Sequence, residues 1–276
     1  MTEKLQYGQL LLRTVLTILL IMLVTPVIWV ILGSLKSNTD ILNYPFGLPT
    51  SFSFHNYISA WELGHFGKYL YNTAYVTFFG LILVVFVGSA AGYALAQISF
   101  KGRDLVFYLF LIGLTLPTQT IIIPLFYQLK SLGLVNSLWG VIFSMVGLGI
   151  PFGIFLMRNT FRDLPRELRE SAYVDGAGEW RTFLSIMLPM AKPGVLALVI
   201  FSFMSMWNEY LLPLVILIDP SKFTIAVGLG AFQTEQNTNY SAIFAGSVIS
   251  MIPIVLVYVL FQRQFIEGVV AGAQKG

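Results

Sequence analysis

The sequence is poor in charge and contains no cysteine. Only 11% of its 276 residues are Asp, Glu, Lys or Arg, whereas 57% are hydrophobic. A soluble domain carries about 25% charged residues, and one this apolar would expose large hydrophobic patches to water. The composition therefore favours a protein whose solvent is a lipid bilayer. The lack of cysteine excludes disulfides and cysteine-ligated metal sites.

Other scarcities exclude several function classes. The two histidines, His55 and His65, lack the partner spacing of a metal site. A net charge of +3 is too small to indicate a nucleic-acid partner. No Ser/His pair, paired acids or metal set is present for an integral membrane enzyme. An ion-coupled secondary transporter needs ionisable residues inside its spans. Only Glu209, near the edge of a span, meets that need, so this alternative is weak.

What the chain has in abundance is long uncharged runs. A helix needs about 20 apolar residues to cross the hydrocarbon layer. We therefore predict a single all-α integral membrane domain over residues 1–276, with six transmembrane helices. The predicted spans are approximately residues 12–34, 70–97, 105–129, 137–157, 193–213 and 241–262.

Lys and Arg divide unequally between the two sides of this topology. Twelve of the 16 fall on the side of the termini and four on the other. Because cytoplasmic loops carry the excess of positive charge, both termini and the segment 158–192 should be cytoplasmic in a cell (inner) membrane. The four on the outer side are Lys36, Lys68, Lys130 and Lys222.

Small residues recur at the spacing that lets membrane helices approach closely. Gly88 and Gly92 form one G-x-x-x-G pattern, and Gly149 and Gly153 form another. Such rows allow backbone contact where no hydrophobic effect drives association. Packing within the chain is the favoured interpretation, and an interface with another subunit is the alternative.

The sequence of the segment 158–192 predicts a helix–turn–helix at the inner membrane surface. Pro165 with Glu167 is typical of a first helical turn, and Gly176 fits the position just after a helix end. These signals predict a first helix over Pro165–Asp175. A second is predicted over Glu179–Leu188 from an apolar stripe at helical spacing. The stripe consists of Trp180, Phe183, Leu184, Met187 and Leu188.

The segment 158–192 also resembles the signature of permease subunits of binding-protein-dependent ABC importers, and on that resemblance we call it the coupling loop. That signature is Glu-Ala-Ala, three residues, Gly, nine residues, then Ile-x-Leu-Pro. The chain matches it with Ser in place of the first Ala. The matching residues are Glu170, Ser171, Ala172, Gly176, Ile186, Leu188 and Pro189, and Asp175 lies beside the glycine. Looser patterns, Trp207-Asn208-Glu209-Tyr210 and the Gly-rich C-terminal tail, are similar to the shorter maltose-type subunit of the carbohydrate-uptake branch.

The resemblance implies a set of partners. It implies a transport subunit rather than an enzyme, paired with a second permease on a dimer of ABC ATPases and fed by an extracytoplasmic solute-binding protein. The chain has no G-x-x-x-x-G-K-[ST] loop, so ATP would be bound by the partner subunits and this chain would need no cofactor. The first helix of the coupling loop would dock on the ATPase. A sugar or oligosaccharide is the expected substrate, and a peptide, an amino acid or phosphate is the alternative.

Polar and aromatic residues near the spans are candidates for the substrate pathway, since amides, hydroxyls and aromatic rings suit a neutral sugar. They are Gln119, Tyr127, Trp207, Asn208, Glu209 and Tyr210. Hydrogen bonding between helices is the competing interpretation, and it is favoured for Asn72. The resemblance also implies a binding-protein contact in the last outer loop, for which a solvated loop is the alternative. Its candidates are Phe232, Gln233, Thr234, Glu235, Gln236 and Asn237.

Overall fold

The computed structural model describes residues 2–62, 64–230, 232 and 238–273, which form helices joined by loops. A π-helical turn, Phe183–Met187, follows the short helix Glu179–Thr182, and a 3₁₀ turn, Pro220–Lys222, precedes the helix Ile225–Gly230. The helices are α1 Thr2–Ser34, α2 Asn38–Asn43, α3 His55–Glu62, α4 Phe66–Gln97, α5 Arg103–Gly113, α6 Thr118–Ser131, α7 Leu138–Arg162, α8 Glu167–Val174, α9 Glu179–Thr182, α10 Leu188–Met190, α11 Lys192–Trp207, α12 Leu211–Ile216, α13 Ile225–Gly230 and α14 Tyr240–Ala273.

The helices account for the predicted spans in two ways. Within the described ranges, four stretches are long and apolar enough to cross a bilayer as single helices: Gly8–Ser34, Phe66–Gln97, Leu138–Arg162 and Tyr240–Gln262. These correspond to the first, second, fourth and sixth predicted spans. Two helix pairs pass the same test only jointly. They are α5 with α6, bent by 100°, and Glu179–Met190 with α11, bent by 80°.

The third predicted span, 105–129, is not one continuous helix. Helix α5 ends at Gly113 and α6 starts at Thr118, immediately after Pro117. Proline has no N–H to donate and disfavours helical backbone in the residue before it, so the chain turns at Leu116–Pro117. Pro124 is tolerated inside α6. The length of the uncharged run hid this break.

The fifth predicted span, 193–213, is also interrupted. Helix α11 ends at Trp207, and α12 starts only at Leu211. Pro213 explains the gap. In a continuous helix its ring would collide with the carbonyl of Glu209, and its nitrogen has no hydrogen to donate to that carbonyl. The polar segment Asn208–Tyr210 therefore lies between two helix ends.

The chain divides into two compact units, Met1–Gly67 with Gly228–Ile252, and Lys68–Val227 with Pro253–Gly276. In the first unit, Lys36 is buried at 1% exposure, and its ammonium donates to the carbonyls of Tyr44 (3.0 Å) and Pro45 (3.4 Å). Trp29 Nε1 donates to the same Pro45 carbonyl at 2.7 Å. These bonds fold the segment after α1 back on the end of that helix. The single domain predicted from the sequence stays a prediction.

The second unit is built on a close crossing of α4 and α7. A Cβ placed on Gly88 would lie 3.1 Å from the Cα of Gly153. A Cβ on Gly92 would lie 2.7 Å from the Cβ of Met157 and 2.8 Å from the backbone nitrogen of Arg158. Both G-x-x-x-G patterns therefore contribute a glycine to packing inside the chain, in agreement with the favoured interpretation.

One end of this crossing carries a buried cation. Arg158 is 7% exposed, and its Nη2 lies 2.8 Å from Asp104 Oδ1 at the start of α5. Its Nε donates to the carbonyl of Leu95 at 3.3 Å, and its guanidinium lies 3.8 Å from the centre of the Phe107 ring. Arg158 thus ties α5 to α7 through an ion pair and a cation–π contact, and α4 to α7 through a hydrogen bond.

Substitution of Gly92 tests the helix crossing. We expect Gly92→Ala to lower the free energy of unfolding by about 1–3 kcal/mol, because the added methyl group meets backbone that must move. The measurement is thermal unfolding of the detergent-solubilised protein. Gly147→Ala in α7 is the matched control, since a Cβ there has no atom within 4 Å. Equal stability of the two variants would contradict the crossing.

Candidate functional site

The first helix of the coupling loop, α8, is shorter than predicted and ends where the sequence indicated. It begins at Glu167 rather than Pro165 and ends at Val174. Gly176 has a φ of +76°, the left-handed conformation that glycine adopts at little cost. The N–H of Ala177 donates to the carbonyl of Ala172 (2.9 Å), and that of Gly176 to the carbonyl of Tyr173 (3.0 Å). This pair of bonds is a Schellman motif, which fixes the helix end.

The motif residues on α8 do not all face outward. Glu170, Ser171, Asp175 and Gly176 are exposed, so they form a surface that a partner can reach. Ala172 differs, because it is 3% exposed and faces the chain's own interior. The resemblance implies that α8 docks on an ATPase, and that docking stays a prediction. Within the chain, the small side chain of Ala172 packs inward and lets α8 lie close to its neighbours.

The second helix of the coupling loop is not a regular α-helix. It starts at Glu179 as predicted, widens into the π-helical turn at Phe183–Met187 and continues to Met190. Pro189 explains the wide turn, since its ring cannot fit against the carbonyl four residues earlier in an α-helix. Ile186 and Leu188 are half-buried and Pro189 is exposed.

The predicted apolar stripe splits into an inner and an outer part. Phe183 and Met187 are buried at 2% and 0% exposure. Trp180 and Leu184, also four residues apart, remain 64% and 48% exposed. Phe183 and Met187 therefore belong to the core of the second unit and the half-buried Leu188 packs against that core, whereas Trp180 and Leu184 leave an apolar edge on the loop.

A hydrogen-bonded network that sequence reasoning missed joins the two helices of the coupling loop to α4. The Arg169 guanidinium forms an ion pair with Oε1 of Glu179 and donates to the Tyr173 hydroxyl at 3.2 Å. The Tyr93 hydroxyl of α4 donates to Oε2 of Glu179 at 2.7 Å. The hydrogen bond to Glu179 raises the pKa of Arg169 above its ordinary value, so this cation is permanent.

The network rests on a packed aromatic floor. The Tyr93 ring lies 5.6 Å from that of Phe161 and 5.2 Å from that of Phe183, centre to centre. One turn further along α4, Gln97 Nε2 donates to the Phe161 carbonyl at 2.6 Å. The end of α4 is therefore held to the end of α7 and to the second helix of the coupling loop at once.

A cavity of about 350 Å³ lies among the helices of the second unit, and Glu209 is the one predicted pathway residue that lines it. Thr118, Ser202 and Ser205 add hydroxyl groups. The remaining lining residues are Met145, Leu148, Gly149, Phe152, Phe201, Met206 and Leu212. The mixture of hydroxyls, one carboxylate and apolar walls suits a polar, uncharged solute.

The other predicted pathway residues lie outside this cavity. Trp207 is buried at 5% exposure and stacks on Phe203 at 5.4 Å. Asn208 caps its own helix by donating from Nδ2 to the Met204 carbonyl at 2.7 Å. The side chains that are exposed are Gln119, Tyr127, Asn208 and Tyr210. The place of Glu209 in a substrate path stays a prediction, and sequence reasoning did not select Ser202 and Ser205, which look like ordinary helix residues.

Two polar residues also have structural roles. Glu209 Oε1 accepts a hydrogen bond from the N–H of Leu212 at 3.1 Å, which caps the start of α12. Asn72 is 2% exposed, and its Nδ2 donates to the carbonyls of Ser221 and Phe223, both at 3.0 Å. This agrees with the structural interpretation favoured for Asn72.

The candidate binding-protein contact is only partly visible. Phe232 packs its ring on that of Phe66 at 5.6 Å within the first unit. Gln233, Thr234, Glu235, Gln236 and Asn237 lie outside the described residues. Their role stays a prediction. Among the described residues, no group of three His, Asp or Glu side chains is placed to hold a metal ion.

Comparison with known proteins adds independent information. Residues 85–270 match the family described as binding-protein-dependent transport system inner membrane component. The chain is 41% identical over 254 residues to the diacetylchitobiose uptake system permease protein NgcG of Streptomyces coelicolor, covering 91% of this chain and 84% of the relative. It is 34% identical over 255 residues to the arabinooligosaccharides transport system permease protein AraQ of Bacillus subtilis, covering 91% and 90%.

The fold is also shared with a solved structure. A chain in the crystal structure of a bacterial ABC transporter involved in the import of the acidic polysaccharide alginate superposes with a TM-score of 0.79. The match covers 94% of this chain and 96% of that chain at 23% sequence identity. At this identity the likeness establishes a common fold.

Substitution of Gly176 tests the end of α8. We expect Gly176→Val to lower the free energy of unfolding by about 1–2 kcal/mol, since a β-branched residue is strained at positive φ. Gly178→Val is the matched control, because Gly178 has a φ of −73° and a Cβ at either glycine meets no atom within 4 Å. The measurement is the thermal unfolding of the two purified variants, compared with that of the wild-type protein. Equal losses would show that the left-handed turn is unimportant.

Proposed function

The chain belongs to the family of inner membrane components of binding-protein-dependent transport systems, and from this premise we propose that it forms part of the path by which an oligosaccharide enters the cell. It is an integral membrane protein and a permease subunit of an ABC importer, so it transports rather than catalyses. The observation that supports an oligosaccharide most strongly is the 41% identity to a relative named for diacetylchitobiose uptake. Another relative is named for arabinooligosaccharides.

The proposed topology has six spans with both termini in the cytoplasm. The four long apolar helices supply four spans, the bent pair of α5 and α6 supplies a fifth, and α11 with α12 supplies the sixth. The distribution of twelve Lys and Arg residues against four supports this orientation. The coupling loop then lies at the cytoplasmic surface, and the loop containing Phe232 lies outside, where it would meet the binding protein.

The proposed energy source is a dimer of ATPase subunits. Because the chain lacks a phosphate-binding loop, ATP is bound by those partners. The exposed face of α8, with Glu170, Ser171, Asp175 and Gly176, docks on one ATPase. A second permease subunit completes the transmembrane path. Closure of the ATPase dimer moves the docked helix, and the attached spans follow as rigid bodies.

The cavity that contains Glu209 is the proposed part of the path in this subunit. Its hydroxyls and carboxylate can accept hydrogen bonds from sugar hydroxyl groups, and its apolar walls suit the faces of a sugar ring. A peptide, an amino acid or phosphate is a less suitable occupant. The reason is that the cavity lining has no cationic side chain for a carboxylate or phosphate group.

The experiment that tests the function is purification of the tagged chain from membranes of its own host. We expect an ATPase and a second permease to co-purify in fixed stoichiometry. The reconstituted complex should import labelled chitooligosaccharides or arabinooligosaccharides only with ATP and the binding protein present. Uptake by this chain alone, driven by an ion gradient, would reject the proposal.

Glu209→Gln tests the cavity. The Gln oxygen can still cap α12 at Leu212, so the fold should be kept while the negative acceptor is lost. We expect the import rate at saturating liganded binding protein to fall about tenfold, since a hydrogen bond to a charged group contributes about 1.5–3 kcal/mol. Glu62→Gln, at an exposed position in α3, is the control. An unchanged import rate for Glu209→Gln would place the path elsewhere.

A further inference from the structure

The side chains of Tyr173, Arg169, Glu179 and Tyr93 form an unbroken hydrogen-bonded chain from α8 to α4. Each link is a hydrogen bond, and the link between Arg169 and Glu179 is also an ion pair. Glu179 is the central member, because one carboxylate oxygen accepts from Arg169 and the other from Tyr93. This series of hydrogen bonds thus joins α8, which carries the family signature, to the membrane-spanning helix α4. Tyr93 of α4 lies 86 residues from Glu179 in sequence.

The surroundings hold these groups in place. Tyr93 is 4% exposed and its ring is packed between aromatic neighbours, so its hydroxyl cannot move away from Glu179 without moving α4. The Arg169 guanidinium lies 4.9 Å from the centre of the Tyr173 ring, which fixes its plane. The positions of both donors are therefore set by α4 and α8 rather than by solvent.

Such a link transmits force differently from packing. Apolar contacts, such as that of Ala172, oppose separation but are non-directional. A charge-assisted hydrogen bond resists separation as well, and it is stronger and more directional than a neutral one. Movement of α8 in either direction would therefore be passed to α4.

We propose that Glu179 is the positioning residue through which displacement of α8 by the ATPase is transmitted to α4. The proposal rests on the proposed function, because it requires an ATPase docked on α8. Since α4 crosses α7 at Gly88 and Gly92 with backbone contact, the two spans move together. Loss of the Glu179 link leaves the ATPase able to hydrolyse ATP while the spans respond incompletely.

Tyr93→Phe is the sharpest test, because it deletes one oxygen and keeps the packed ring. In the complete reconstituted complex, we expect ATP hydrolysis stimulated by the binding protein to persist. The number of sugar molecules imported per ATP should fall about tenfold, the effect of one lost hydrogen bond to a charged group. Tyr108→Phe is the matched control, since Tyr108 is 61% exposed and lies outside the network.

Exchanging the charges of Arg169 and Glu179 is a second test of the proposal. Arg169→Glu and Glu179→Arg should each lower the number of sugar molecules imported per ATP. The double variant should restore at least half of the wild-type ratio, because its exchanged arginine can donate to both the Tyr93 hydroxyl and the exchanged glutamate. Wild-type import per ATP in Tyr93→Phe would overturn the proposal. So would a parallel fall of ATP hydrolysis, import and thermal stability, which marks a merely structural link.

The two proposals fail in distinguishable ways. A wild-type complex that neither hydrolyses ATP nor imports sugar would reject the proposed function. A wild-type complex that imports normally, together with a Tyr93→Phe complex that imports equally well per ATP, would reject only the role of Glu179.

Discussion

The backbone contact between α4 and α7 is the constraint on which the second unit depends. Lipid tails are as apolar as the helices, so no hydrophobic effect holds two spans together inside a membrane. Close approach is needed instead, and Gly88, Gly92 and Gly153 permit it by presenting no side chain at the crossing. The C-terminal parts of both helices meet the coupling loop, since Tyr93 of α4 bonds to Glu179 and α7 leads into the loop.

The coupling loop is consequently attached to the membrane-spanning part in two chemically different ways. One kind of attachment is covalent, since α7 leads directly into the loop and α11 follows it. The other is the polar link from Tyr93 through Glu179 to Arg169, above a floor of aromatic rings. A short helix with an exposed outer face and a firmly held inner face is suited to carry a mechanical load. This arrangement gives physical content to the family signature, whose residues divide between the exposed face and the packed side.

Much of this architecture was accessible from the sequence. Composition and run length predicted a helical membrane protein, and Gly176 predicted the end of α8. The family resemblance carried by Glu170, Ala172 and Gly176 is confirmed by the match of residues 85–270. These features are local, so each is visible in a short window of sequence. Pro117 and Pro213 also indicate the breaks near them. The continuous spans were nevertheless predicted from the length of the uncharged runs alone.

The features that were missed depend on contacts distant in sequence. Tyr93 reads as an ordinary aromatic in an apolar span, and nothing nearby indicates a carboxylate partner 86 residues away. The Arg169–Glu179 pair was easier to predict from the sequence, because the turn of a helix–turn–helix brings opposite charges on its two helices together. The inward orientation of Ala172 followed from packing, which residue size alone does not determine.

The most direct test of the account is the side of the membrane on which α8 lies. Because the chain contains no cysteine, Val174→Cys would introduce its only thiol at a position 88% exposed. A membrane-impermeant maleimide should label this thiol on the tagged chain in inside-out vesicles and leave it unlabelled in right-side-out vesicles. Labelling in right-side-out vesicles would contradict the account, since the coupling loop could then not reach a cytoplasmic ATPase.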